Sequence, residues 1–279
     1  MNTNMTMRHR TLALIAAPLL LAACATAPTT AVGIQANTVA PATPNAWSNA
    51  DQMIVVTSQD WGAVRGTMRR FERQGQGQRA SWRQVGDATP VMLGRTGIAW
   101  GTGLHPMPQD GGPAPKQEGD GKSPAGVFGI GIAFGYPERV DTRLDYRQMQ
   151  ATNWCMDVPG SPLYNRIVDS REVGEAAVKG STEPMRLDRH NNGDDRYKLG
   201  FVIQHNPDNV DRGGSCIFAH LWGNPDKTTA GCTAMAESVM RDMLAWLKPA
   251  AHPVLVQLTD AEYDRKQRDW QLPARNQFK

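Results

Sequence analysis

The segment Val127-Phe-Gly-Ile-Gly-Ile-Ala-Phe134 alternates bulky and small side chains along its whole length. In an extended chain, Phe128, Ile130, Ile132 and Phe134 lie on one face, while glycine and alanine occupy the other. The segment therefore predicts a β-strand whose bulky face packs on a core.

Two later segments show the same alternation. Range 197–205 places Tyr, Leu, Phe, Ile and finally His205 on one face, and range 215–222 places Cys, Phe, His220 and Trp together. Shorter strands, separated by Gly, Pro and Asp clusters, are expected at 91–93, 98–100 and 254–258. The sequence predicts a mainly β fold.

One helix is expected after these strands, from Met235 to Lys248. Apolar residues recur there at helical spacing, and Pro249 ends the pattern. The helix is expected to begin just after Cys232, which would place that cysteine at a helix N-terminus.

The first 23 residues are predicted to be a signal peptide. Arg8 and Arg10 precede an apolar stretch, 12–23, that is too short to span a bilayer. The stretch ends in Leu21-Ala-Ala-Cys24, which resembles a bacterial lipobox, so Cys24 is expected to carry lipid. We expect a periplasmic protein anchored by this lipid to the outer membrane.

The rest of the chain divides into three parts. Residues 24–50 comprise the lipidated cysteine and a tether rich in Ala, Thr, Pro and Asn, a composition that cannot bury a core. A single folded domain is expected over 51–259 and a C-terminal tail over 260–279.

Net charge and cysteine count restrict the function classes. The formal charge of +3 includes two arginines in residues 1–23, which hold no acidic residue, so the mature chain carries +1. That imbalance is too small to indicate a nucleic-acid partner. Cys155 and Cys216 are either a disulfide, which an oxidising compartment would preserve, or two free thiols, because the sequence gives no distance between them.

The reactive side chains lie in range 215–235. A strand places His220 at its end, a loop turns the chain, and Thr229-Ala-Gly-Cys232 leads into the predicted helix. Backbone N–H groups and the helix dipole would favour a thiolate there, and an imidazole within reach would take the thiol proton. Gly231 would let the backbone approach an oxyanion closely. Spacing alone also fits a buried structural thiol beside a hydrogen-bonded histidine.

The same segment resembles the signature of the L,D-transpeptidase (YkuD-like) family, a histidine followed after a loop by Ser/Thr-x-Gly-Cys. His220, Thr229, Gly231 and Cys232 match that signature.

The resemblance extends upstream and covers roughly residues 53–258. Range 119–128 is similar to the Thr/Ser-Pro-x-Gly-x-Phe motif at the start of a family strand, and ranges 155–159 and 164–165 resemble a segment of one subgroup.

The resemblance implies a β-sandwich with one helix after the catalytic cysteine, acting on peptidoglycan stem peptides without a cofactor or metal. Cys232 would attack the carbonyl at the L-centre of meso-diaminopimelate, release D-Ala and form a thioester that an amine of another stem resolves. His220 would be the general base, and Thr229 and the backbone near Gly231 would orient that base and hold the oxyanion.

One position departs from the family pattern. Many members carry Arg two residues after the nucleophile, where this chain has Ala234, and a subgroup with a small residue there is associated with links to L-Ala. Both diaminopimelate–diaminopimelate and L-Ala–diaminopimelate links therefore stay open. The candidate substrate-binding residues are Trp222, Lys227, Thr233, Ala234 and His205.

Other functions are compatible with the same residues. Water in place of the amine would make the site an L,D-carboxypeptidase, endopeptidase or amidase. Cys155 followed by a downstream histidine has the chain order of papain-like wall hydrolases, and His205, Cys216, His220 and Cys232 have zinc-binding side chains in a spacing that matches no compact zinc motif. An inert wall-binding lipoprotein is the non-enzymatic alternative, against which the presence of both His220 and Cys232 argues.

Overall fold

A computed structural model describes residues 45–75, 81–108 and 112–279. The predicted signal peptide, the lipidated Cys24 and most of the tether lie outside these residues. Within the described part of the chain, no helix has the length and apolar character needed to cross a membrane.

Strands dominate the described residues, so the mainly β prediction is confirmed. The strands are β1 (Gln52–Ser58), β2 (Arg65–Gln74), β3 (Ser81–Met92), β4 (Ile98–Trp100), β5 (Ser123–Gly135), β6 (Tyr146–Gln148), β7 (Asn153–Cys155), β8 (Ile167–Asp169), β9 (Glu183–Pro184), β10 (Leu199–Ile203), β11 (Phe218–Leu221), β12 (Thr233–Met235) and β13 (Val254–Thr259). The α-helices are α1 (Ser170–Val173), α2 (Leu187–His190), α3 (Glu237–Trp246) and α4 (Asp260–Lys266).

Most of the strands close into a barrel-like ring. Its order is β10–β11–β12–β3–β2–β1–β13–β5, and β5 pairs back with β10. Because β5 is 13 residues long, its first part pairs with β13 and its second part with β10. One long strand therefore closes the ring, and it contains the alternating segment 127–134.

The bulky face of β5 is shared between two apolar clusters. Phe128 belongs to the main core, whereas Phe134 packs edge-to-face against Phe218 and Tyr197 in a second cluster. Cys232 is a member of that second cluster. The second cluster thus packs apolar side chains around the predicted nucleophile.

The predicted helix at 235–248 exists as α3, which spans Glu237–Trp246 and buries Met240, Met243 and Leu244. The expectation that it begins just after Cys232 is wrong. Strand β12 lies between them, paired in parallel with β11. Because this pairing engages the backbone that follows Cys232, the cysteine precedes a strand and has no helix N-terminus to stabilise a thiolate.

A second sheet, β8–β7–β9, packs beside the ring, and we call the segment 153–190 that contains it the cap. A disulfide joins Cys155 of the cap to Cys216, just before β11, with Cα atoms 5.9 Å apart. The disulfide alternative is therefore confirmed. Both sulfurs are bonded, which excludes Cys155 as a nucleophile and Cys216 as a zinc ligand.

The folded region extends beyond the predicted limits of 51 and 259. Trp47 and Trp270 are buried against each other with ring centroids 5.6 Å apart, and the Trp47 indole N–H donates to the Trp270 carbonyl at 3.1 Å. Tyr263 and Leu272 are also buried in the main core. Residues 260–279 are therefore an integral part of the fold and not a tail.

Candidate active site

A cavity of about 520 Å³ contains both Cys232 and His220. Residues of the ring, of the cap and of the loop before β5 line it. Its charged lining residues, which carry both signs, include Arg95, Lys116, Glu118, Glu183 and Arg196. The structure thus brings the predicted nucleophile and base to one polar cavity.

The parallel pairing of β11 and β12 positions the two reactive side chains. His220 is the register partner of Ala234, and Cys232 precedes Ala234 by two residues, so both side chains lie on the same face of neighbouring strands. The Phe218 N–H donates to the Cys232 sulfur at 3.3 Å, and the thiol donates to the Cys216 carbonyl at 3.5 Å. The Cys232 sulfur is therefore held by backbone groups of Cys216 and Phe218, where the chain enters the strand that carries His220.

The His220 ring is buried and fixed by its own strand. Its Nδ1 lies 2.7 Å from the Leu221 carbonyl, and the Tyr197 and His220 rings form a T-shaped contact with centroids 5.2 Å apart. A carbonyl can only accept, so Nδ1 carries the proton and Nε2 has a free lone pair. This is the tautomer that a general base needs.

Both groups are neutral near pH 7. Burial, reinforced by the carboxyl of Glu183, raises the pKa of the Cys232 thiol to about 12. Burial likewise lowers the pKa of His220 to about 4. The structure therefore holds a neutral thiol and a neutral imidazole and not a thiolate–imidazolium pair.

Hydroxyl groups fix the backbone of the nucleophile. Thr229 Oγ1 donates to the Cys232 carbonyl at 2.6 Å and accepts from the Gly231 N–H at 3.1 Å. Ser123 Oγ donates to the same carbonyl at 2.9 Å and accepts from the Gly94 N–H at 2.9 Å. Thr229 therefore fixes the backbone of Cys232, and the Gly231 N–H is already engaged.

Four predicted substrate-binding residues lie outside the cavity lining: Trp222, Lys227, Thr233 and Ala234. Thr233 points to the other face of the sheet, where its hydroxyl donates to Gln257 at 2.9 Å. Ala234 is buried between β11 and β3, and Lys227 is exposed on the loop after β11. For Thr233, closeness in sequence to Cys232 does not bring the side chain to the thiol, because successive side chains of a strand point to opposite faces.

His205 is also placed away from the pair. Its Nδ1 accepts from the Thr102 N–H at 3.2 Å, and its Nε2 donates to the Gly213 carbonyl at 2.8 Å. It lines a different cavity, of about 380 Å³. With both ring nitrogens bonded to backbone, His205 has a structural role and neither binds substrate beside Cys232 nor serves as an alternative base.

Sequence reasoning missed several polar residues of the cavity. The Tyr197 hydroxyl donates to Glu183, whose carboxyl has a pKa raised to about 7 by burial. Arg196 is held by Asp194 at 2.7 Å. Lys116 lies between β4 and β5, far from Cys232 in the chain, so no local motif marks any of these residues.

Comparisons of the chain with protein-family models, with curated proteins and with solved structures give no match. The resemblance to L,D-transpeptidases therefore rests on the motif residues themselves. The chemistry of the cavity carries the functional argument.

Proposed function

We propose that this protein is a cysteine-dependent L,D-transpeptidase that cross-links peptidoglycan stem peptides, on a YkuD-like β-sandwich domain. One observation carries the proposal: Cys232 and His220 share a cavity, and the Nδ1 bond to Leu221 leaves Nε2 of His220 free to accept the thiol proton. A purely structural cysteine and histidine would be enclosed in the core, whereas Cys232 and His220 both line a polar cavity of about 520 Å³.

In the first half-reaction, His220 Nε2 takes the proton of the Cys232 thiol as the sulfur bonds to the carbonyl carbon of the donor stem. The carbonyl π electrons move to its oxygen. Collapse of this intermediate breaks the C–N bond, and the amine of the released D-Ala takes the proton from His220. The product is a thioester on Cys232.

In the second half-reaction, the amine of an acceptor stem attacks the thioester carbon and gives a proton to His220. Collapse expels the Cys232 sulfur, which recovers that proton. A new amide bond joins two stems, and the enzyme returns to its neutral pair. The same steps with water in place of the amine would give hydrolysis.

The charges of the cavity fit stem peptides, which carry both carboxylates and ammonium groups. Arg95 and Arg196 can bind carboxylates, and Glu118 and Glu183 can accept from ammonium groups. These pairings require neither a metal nor a cofactor.

The disulfide supports an exported location, because such bonds persist in oxidising compartments. We place the protein in the periplasm, anchored to the outer membrane through lipid on Cys24. In this location it meets its substrate, the cell wall.

The residue at position 234, alanine where many family members have arginine, bears on which cross-link is formed. Without a guanidinium there, we propose that links between L-Ala of the acceptor stem and diaminopimelate are a substantial product beside diaminopimelate–diaminopimelate links. The test is to digest walls from cells that express the wild type or Cys232→Ala and to sequence the dimers by tandem mass spectrometry.

New L-Ala–diaminopimelate dimers in the wild type alone would support the proposal. Dimers with only diaminopimelate–diaminopimelate bonds would show that Ala234 leaves the linkage unchanged. Shortened monomers without new dimers would instead identify a hydrolase.

A further inference from the structure

Lys116 is a buried cation that neither the motif nor the proposed steps use. Its side chain is 3% exposed, and its ammonium is 2.8 Å from Asp120 Oδ1 and 3.3 Å from the Gln117 carbonyl. Asp120 is itself held by the N–H groups of Gln117 and Lys122 at 2.8 and 2.9 Å. The loop before β5 therefore fixes the ammonium in one place.

That place is beside the nucleophile. A Cβ atom added to Gly231 would lie 3.5 Å from Lys116 Nζ, so the ammonium approaches the backbone of the residue that precedes Cys232. Lys116 and Cys232 line the same cavity. The fixed ammonium thus lies against the backbone at Gly231 and shares the cavity of Cys232.

An ammonium group has three protons, and the contacts of Lys116 in the described residues use two of them, for Asp120 and Gln117. The third can meet an anion in the cavity. The charged groups that act on the thiol are Glu183 from the cap, which opposes its ionisation, and Lys116 and Arg196, which favour it.

We infer that Lys116 is a catalytic residue that stabilises the negative charge that forms on the Cys232 sulfur and then on the oxygen of the attacked carbonyl. The inference rests on the proposal that Cys232 is the nucleophile. Lys116 supplies a positive charge in place of the helix N-terminus that the sequence predicted at Cys232 and that the structure does not have.

The step that Lys116 assists is the proton transfer followed by attack. As the thiol proton passes to His220 Nε2, negative charge grows on sulfur and then on the carbonyl oxygen. A fixed ammonium that lines the same cavity lowers the energy of both charged species. Lys116 neither gives nor takes a proton in this step, so the proton and electron balance of the reaction is unchanged.

The test measures alkylation of Cys232, located by peptide mass spectrometry, with neutral iodoacetamide and with anionic iodoacetate. We compare wild type with Lys116→Met and with Lys122→Met, which removes the same charge from the same loop outside the cavity lining. Lys122 binds the Thr96 carbonyl at 2.7 Å and serves as the matched control.

We expect Lys116→Met to slow both reagents about tenfold at a given pH, and Lys122→Met to change either rate less than twofold. A loss confined to iodoacetate would mean that Lys116 only attracts anions, and an unchanged rate in a folded variant would mean that it has no effect on the sulfur. Either result overturns the inference.

Asp120→Asn provides a second variant in case Lys116→Met fails to fold. It removes the counter-charge of Lys116 with almost no change of shape, so alkylation of Cys232 should become faster. Slower or unchanged alkylation would contradict the inference that Lys116 stabilises negative charge on the Cys232 sulfur. None of these rates depends on cross-linking, so they separate a failure of this inference from a failure of the proposed transpeptidase activity.

Discussion

Removing the disulfide should destabilise the protein far more than it disturbs the active site. The bond joins residues 61 positions apart, so it restricts a long loop of the unfolded chain. The chain-entropy relation for a loop of that length gives about 4 kcal/mol. We expect the double variant Cys155→Ala/Cys216→Ala to lose about this much free energy of unfolding, or roughly 10 °C in Tm for a domain of this size.

The site should survive in this variant because other contacts hold the strand. The Cys216 N–H still donates to Asn165 at 2.9 Å, and the carbonyl of residue 216 still accepts the Cys232 thiol. Acylation of Cys232 below the unfolding temperature should therefore stay within a few-fold of wild type.

Equilibrium unfolding in urea, with and without a dithiol reductant, measures the effect. Reductant should destabilise the wild type and leave the double variant unchanged. A loss below about 1 kcal/mol, or an equal effect of reductant on both proteins, would refute the loop-closure argument.

Two further predictions concern pH. His220→Ala should slow acylation of Cys232 about 100-fold at pH 7 and recover as the pH rises toward the thiol pKa of about 12, whereas an unchanged rate would point to another base. Burial lowers the pKa of His105, His205 and His220 to about 4, so the stability they contribute is complete above pH 6.5 and is lost as the pH falls toward 4. Glu183, whose pKa is raised to about 7, acts in the opposite direction, but it is one group against three histidines. Urea unfolding should therefore show that the free energy of unfolding falls by on the order of a few kcal/mol between pH 7 and pH 4.5. Equal stability at the two pH values would contradict this account.

Alternation predicted the strands that close the ring, because each has one face in a core. It missed β1, where the apolar residues Met53, Ile54, Val55 and Val56 are consecutive, because a strand buried on both faces need not alternate. Neither alternation nor helical spacing located the start of α3. Met235 is buried in the main core as part of β12, so its apolar character fits a strand as well as a helix.

The reactive pair could be found from sequence because strand, loop and cysteine lie within twenty residues. The cavity around the pair could not, because Lys116 and Glu183 reach it from distant segments that only the closed ring and the cap bring together. For the same reason, neighbours of Cys232 such as Thr233 were wrong candidates. Chain proximity does not determine which face of a strand a side chain occupies.

The central claim is that Cys232 is the nucleophile of an acyl transfer, and trapping its thioester tests it most directly. Intact-mass and peptide mass spectrometry after incubation with a carbapenem should show one adduct, on the peptide that contains Cys232, and none in Cys232→Ala. An adduct that persists in Cys232→Ala, or a wild type that forms none while it remains folded, would contradict the account.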